Sequence, residues 1–155
     1  MIQIDDAELK RVMQEVIDKF LIPKFNELGM NASGKWIDSL QAEAVNGTGY
    51  IKGQFYSYWL QNGRAGGTKP PFNAIFQWVG VKLGLTGAQQ TGATFAIMQK
   101  IENEGTDYYP QGTELLTVLE STEVQQYIYT SLRAGINGKL KVEIEKRFKK
   151  TLITQ

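Results

Sequence analysis

Residues 5–22, DDAELKRVMQEVIDKFLI, place Leu9, Val12, Met13, Val16, Ile17, Phe20 and Leu21 at the i, i+3, i+4, i+7 spacing of one helical face. The spacing predicts an amphipathic helix over 5–22. Asp5 or Asp6 suits its N-terminus, where a carboxylate accepts from free N–H groups and opposes the positive end of the helix dipole. Pro23 lacks an N–H, so it kinks or ends the helix, and Gly29 closes the segment.

A loop at 31–34 and a short amphipathic turn carrying Trp36, Ile37 and Leu40 come next. AEAV and YIKGQFY then flank Asn46-Gly47-Thr48-Gly49, which reads as a β-hairpin whose second strand Gly53 weakens or bulges. A turn of helix over 56–60 ends at Gly63. Two Gly and two Pro in RAGGTKPP, 64–71, exclude regular structure and mark an exposed loop. Helical spacing returns over 72–83 with Ile75, Phe76, Val79 and Leu83, and Gly84 ends it.

Thr91 or Thr94 is a candidate cap for a helix with Phe95, Ile97, Met98 and Ile101 that ends at Gly105. A turn over 107–112 and one or two helical turns over 114–119 follow. Val124, Tyr127, Ile128 and Leu132 fit a helix, whereas 139–150 read two ways. Leu140, Val142 and Ile144 alternate like a strand behind Asn137-Gly138, yet Leu140, Ile144 and Phe148 also fit i, i+4, i+8. Glu143/Arg147 and Glu145/Lys149 are helix-supporting pairs. The expectation is α+β: a long N-terminal amphipathic helix, a small antiparallel β-hairpin or sheet and several short helices. No repeat or composition shift divides residues 1–155, which reads as a single domain, with 122–155 of uncertain secondary structure.

With 155 residues, the chain is long enough to close a core without disulfide or metal. The absence of Cys removes thiolate nucleophiles, Cys-ligated zinc and iron–sulfur clusters, and the absence of His removes Ser-His-Asp triads and imidazole bases. A net charge of +1 argues neither for nor against a polyanionic partner. The apolar runs fall short of the roughly 20 residues that span a bilayer, and MIQIDDAELK lacks the order of a signal peptide. The reading is a protein of a cytosol-like compartment with no membrane partner.

The remaining motifs each have an ordinary structural reading. The 64–71 loop, with Arg64 and Lys69, would attract an anion but lacks the phosphate-loop spacing. Glu102, with Glu104 or Asp107, is a carboxylate pair for glycoside chemistry, but Glu102 and Glu104 lie at i, i+2 and point apart. Lys139, Lys141, Lys146, Arg147, Lys149 and Lys150 could neutralise phosphates, but Glu143 and Glu145 interrupt them, and a solvated face or tail explains them better. Four aromatics over 55–59, among them Tyr56, Tyr58 and Trp59, suit a sugar platform, an interface or a core.

From Tyr58 the order YWLQNGRAGGTKPPFNAIFQWVGVKLG, followed by FAIMQKIENEGT, resembles the minor virion proteins of tailed bacteriophages at the head–tail joint, the neck and tail-completion proteins. Tyr58, Leu60, Gly63-Arg64, Gly66 or Gly67, Pro70-Pro71, Ile75, Trp78, Lys82 and Gly84, then Ala96-Ile97, Ile101 and Gly105-Thr106, carry the likeness over about a third of the chain. Val79, Gly80 within a helix and Gly84-Leu85 depart from the pattern and put helix regularity in question.

The resemblance implies a non-enzymatic structural protein, without cofactor or metal, that assembles in the host bacterial cytoplasm and resides in the virion. Its partners would be further copies of itself in a cyclic ring, a portal-proximal adaptor, and tail terminator or tail-tube proteins, with non-specific contact to packaged DNA. Tyr56, Tyr58, Trp59, Gly63, Arg64, Lys69, Pro70, Pro71, Phe72 and Trp78 are the candidate assembly residues. Arg64 and Lys69 would orient a subunit boundary through charge pairs, and the aromatics would supply apolar area. The alternative is a nucleic-acid-binding or packaging-associated module that uses the basic C-terminal segment.

Overall fold

The computed structural model describes residues 4–153, with side chains for 4–139. Its N-terminal helix α1 (Asp6–Val16) is capped by Asp5, whose carboxylate accepts from the Ala7 N–H at 3.0 Å. A π-helical turn, Ile17–Leu21, leads into α2 (Ile22–Glu27), so Pro23 neither ends the helix nor leaves it regular. Proline removes one N–H and crowds the carbonyl four residues back, and a wider turn just before it relieves that conflict.

The chain divides into two compact units. One holds the residues up to Leu21, Gln41–Lys52 and those from Val118 onward; the other holds Ile22–Leu40 and Gly53–Thr117.

In the first unit, β1 (Gln41–Val45) and β2 (Thr48–Lys52) pair antiparallel, with Val45 opposite Thr48. Asn46 and Gly47 both have positive φ (52° and 76°), the type I′ turn that matches strand twist. The second strand stops at Lys52, so Gly53 lies beyond it rather than bulging it. Leu9, Val12, Met13 and Val16 on α1 are buried, and so is Ala42 on β1. Full burial of such a side chain as Val12 contributes roughly 1.5–3 kcal/mol. Gly49 admits this packing, since a Cβ there would lie 2.8 Å from Met13 Cγ.

The last helix of this unit, named α7 below, spans Thr122–Ile153. Asn137-Gly138 therefore does not turn, and 139–150 are helical rather than extended; the i, i+4 pattern prevails over the alternation. Tyr127 joins α7 to α1. Its hydroxyl donates to Glu15 Oε2 and accepts from Lys19 Nζ, both at 2.6 Å, while its ring meets the edge of Phe20. This hydrogen bond, with Arg11 close by, lowers the Glu15 pKa, and the Lys19 pKa is raised by the same hydroxyl.

In the second unit, α2 ends in a Schellman pattern: Gly29 has φ 66°, the Met30 N–H reaches the Phe25 carbonyl, and the Gly29 N–H reaches Asn26. Trp36, on α3 (Lys35–Asp38), packs its ring against Phe25 in a tilted contact at 4.3 Å, and its indole N–H donates to Ser57 Oγ at 2.8 Å. Then come α4 (Ser57–Asn62), α5 (Phe72–Leu83) and α6 (Gly87–Glu104). Helix α6 starts after Thr86. Neither Thr91 nor Thr94 caps it, and Thr94 is buried mid-helix with its hydroxyl on the Gln90 carbonyl.

Gly80 leaves α5 regular. A Cβ there would come within 2.7 Å of Gln90 Nε2, which crosses from α6 to donate to the Phe76 carbonyl. Residues 114–116 form a bend and turn, and the short helix that follows, Thr117–Glu120, is 3₁₀. The architecture is α+β, mostly helical, with one two-stranded hairpin among the described residues. Among the described residues, no helix is long and apolar enough to cross a membrane.

Candidate functional site

Helix α4 presents its aromatics to solvent. Phe55 just before it is 82% exposed, Tyr58 63% and Trp59 44%, and Phe55 meets Trp59 edge-to-face at 5.4 Å. The 55–59 cluster is therefore a surface feature of its unit. Tyr56 is half-turned inward and lines a pocket of about 110 Å³ with Phe25, Trp36, Leu60 and the 30–35 loop. That volume lies well below the roughly 300 Å³ at which small-molecule sites begin. Burial raises the Tyr56 phenol pKa.

The position of α4 is set by hydrogen bonds at its C-terminus. Gln61 Nε2 donates to the Thr113 carbonyl at 2.5 Å, Gln61 Oε1 accepts from the Leu116 N–H at 2.6 Å, and Thr113 Oγ1 donates to the Leu60 carbonyl at 2.9 Å. Gly112 permits this approach, because a Cβ there would sit 2.7 Å from the Gln61 carbonyl oxygen. Gln61 and Thr113 were not singled out by the sequence reading. Their partners lie 52–55 residues away, and no local pattern marks them.

Gly63 ends α4 at φ 72°, ψ −179°, and is buried, with Tyr109 N only 2.7 Å from where a Cβ would stand. The Arg64 N–H donates to Thr106 Oγ1 at 2.8 Å, and the Thr106 N–H donates back to the Arg64 carbonyl at 2.8 Å. Gly66 lies against the end of α6, since its Cβ would meet the Asn103 carbonyl oxygen at 2.9 Å; the Gly67 N–H donates to the Glu102 carbonyl at 2.6 Å. The glycine end of the 64–71 loop is thus tied down by main-chain contacts to 102–106. Arg64 and Lys69 have partners within the chain. The guanidinium donates to the carbonyls of Thr68 and Lys69 at 3.3 and 3.2 Å, and Lys69 Nζ lies 3.6 Å from Glu102.

Pro70 is buried, Pro71 is exposed and precedes α5 in extended conformation, and Phe72 stacks on Phe76 at 5.4 Å and meets Phe95 in a tilted contact at 5.3 Å. Phe72 therefore anchors α5. Trp78, on the same helix, is 39% exposed. Tyr108 and Tyr109, in the turn that abuts Gly63, are also exposed and add to the aromatic surface around α4.

The carboxylates are engaged one by one. Glu102 faces Lys69, and Asp107 accepts from Lys100 Nζ at 2.8 Å, which raises the lysine pKa. Among the described residues no group of three acidic side chains could hold a metal ion. Lys139 pairs with Asp5 at 3.5 Å, and the side chains of Lys141, Lys146, Arg147, Lys149 and Lys150 lie outside the described residues. No family model matches the chain, and comparison with curated proteins and with solved structures yields no match.

Proposed function

We propose that this chain is a structural assembly protein of a tailed-bacteriophage virion, a ring subunit at the head–tail junction that performs no reaction. The observation that carries the reading is the α4 surface: Tyr58 and Trp59 on a short helix, with Phe55 just before it, stand exposed, and the helix is held by Gln61, Gly63 and the tied 64–71 loop. Rigid aromatic area is what interfaces use as anchors, since little side-chain entropy is lost on contact. The resemblance of residues 58–106 to neck and tail-completion proteins gives the partners: copies of this chain, an adaptor next to the portal, and tail terminator or tail-tube proteins. Non-specific contact with packaged DNA belongs to the same reading and would draw on the basic residues of the C-terminal segment.

Light scattering on the purified protein, alone and with its neighbouring virion proteins, tests the reading. Assembly into a discrete ring is expected. Replacing Tyr58 and Trp59 with Ser should weaken it by roughly thirtyfold or more, as for central interface aromatics, without lowering the unfolding midpoint. A chain that stays monomeric with every partner and is absent from purified particles overturns the proposal, and salt-sensitive capture of DNA by that monomer would favour the nucleic-acid alternative.

A further inference from the structure

The hairpin turn carries a second kind of chemistry. In an Asn-Gly pair the backbone nitrogen of Gly can attack the Asn side-chain amide. The nitrogen loses its proton to solvent base, an N–Cγ bond forms, and the C–N bond to the side-chain amide breaks with loss of ammonia. Water then opens the cyclic imide to aspartate or isoaspartate. Three Asn-Gly pairs occur in the chain, Asn46-Gly47, Asn62-Gly63 and Asn137-Gly138. At Asn62-Gly63 both reacting groups are tied up: the buried Gly63 donates its N–H to the Trp59 carbonyl at 2.9 Å, and the Asn62 side-chain amide donates to the Tyr58 carbonyl at 3.0 Å. Asn137-Gly138 lies within α7, where main-chain geometry and helical hydrogen bonding oppose attack. The first is exposed to water at the tip of the hairpin, with no helix to restrain it.

We infer that Asn46 is a latent deamidation site that Asp6 holds in check. The Asp6 carboxylate accepts from both turn amides: Oδ2 from the Asn46 N–H at 3.0 Å and Oδ1 from the Gly47 N–H at 2.8 Å. The nitrogen that must become the nucleophile is therefore the one whose proton faces an anion. Its deprotonated form would place a second negative charge at hydrogen-bond distance from the first. Even screened as in water, a unit charge this close lowers the population of the amide anion by about tenfold. The type I′ turn adds a geometric restraint, because positive φ at both residues holds the Gly47 nitrogen in the hairpin register.

The product would undo the contact that delays it. Deamidation puts a carboxylate beside Asp6, and isoaspartate adds a main-chain carbon that a two-residue turn between Val45 and Thr48 cannot absorb without losing that register. Opening of the Asp6 contact thus leads to irreversible loosening of the hairpin on α1. This inference is independent of the assembly reading.

The test is peptide mapping by mass spectrometry after prolonged incubation of the full chain at neutral pH, with the denatured chain as reference. Native Asn46 should deamidate more slowly than in the denatured chain. Asp6→Asn, which keeps an oxygen acceptor and removes the charge, should speed conversion at Asn46 by about tenfold, and Asp6→Ala should do so at least as strongly. Asn137, read in the same digest, should stay at its native rate and thereby report that the unit remains folded. Equal rates at Asn46 in native and denatured wild-type protein would overturn the inference. So would an Asp6→Asn rate equal to wild type while Asn137 stays protected.

Discussion

Gly63→Ala offers the sharpest test of how the α4 corner is built. At φ 72° and ψ −179° the residue occupies a region that is essentially glycine-only, and any other residue there costs about 1–3 kcal/mol. The new methyl would also press on backbone, 2.7 Å from Tyr109 N and 3.0 Å from Tyr108 C, where no flexible side chain can yield. Overpacking of this kind costs a further 1–3 kcal/mol, for a total of about 4 kcal/mol. Two other glycines calibrate the result. Gly67 has φ 106° with open space at its Cβ, so alanine there should cost only the conformational part, about 1–2 kcal/mol. Gly92, exposed in α6 with open space at its Cβ, should gain about 0.5–1 kcal/mol on replacement with alanine. Trp36, Trp59 and Trp78 all belong to the second unit, so urea unfolding followed by tryptophan fluorescence reads the right part of the chain. The expected order of midpoints is Gly92→Ala, wild type, Gly67→Ala, Gly63→Ala. A Gly63→Ala midpoint at or above that of Gly67→Ala would refute the close approach of α4 to the 106–109 turn.

Gln61→Ala removes both side-chain bonds of Gln61 to the 113–116 segment and leaves the Leu116 N–H without its acceptor; a loss of about 1–3 kcal/mol is expected in the same fluorescence assay, and an unchanged midpoint would show that these side-chain bonds carry no weight. Tyr127→Phe tests the link between α1 and α7 through its pH dependence. The Glu15 pKa is lowered first by the Tyr127 hydroxyl and then by Arg11, so the carboxylate adds stability that is present above its unfolded pKa and lost as pH falls through its lower folded pKa. Removing the hydroxyl should flatten the acid limb of a stability profile measured by circular dichroism, and an identical acid limb in the variant would disprove the coupling.

Much of the fold was legible because it depends on neighbours in sequence. The apolar face of 9–21, the hairpin turn and the helix between Pro71 and Gly84 follow from side-chain period and backbone preference; the structure places the face and the helix as read and narrows the turn from 46–49 to Asn46-Gly47, with Thr48 and Gly49 already paired in β2. Failures arose where local signals competed. Asn137-Gly138 is good turn chemistry on its own, but it lies inside a 32-residue helix whose pattern runs past it. Thr94 has the chemistry of a cap, yet it is buried in the middle of α6, where its hydroxyl turns to the Gln90 carbonyl.

The candidate site divides along the same line. By itself the sequence determined that aromatics cluster over 55–59 and that 64–71 is irregular, since residue type and the dihedral limits of Gly and Pro need no distant partner. It left open whether those aromatics were core or surface, because periodicity identifies an apolar face without saying what covers it. Only the tertiary structure decided that Tyr58 and Trp59 stand in solvent and that Arg64 turns back onto its own loop. The same holds for Gly63, Gly66 and Gly105, which are required where main chain meets main chain. Those contacts join residues some 40 positions apart, and chain order carries no local trace of such an approach.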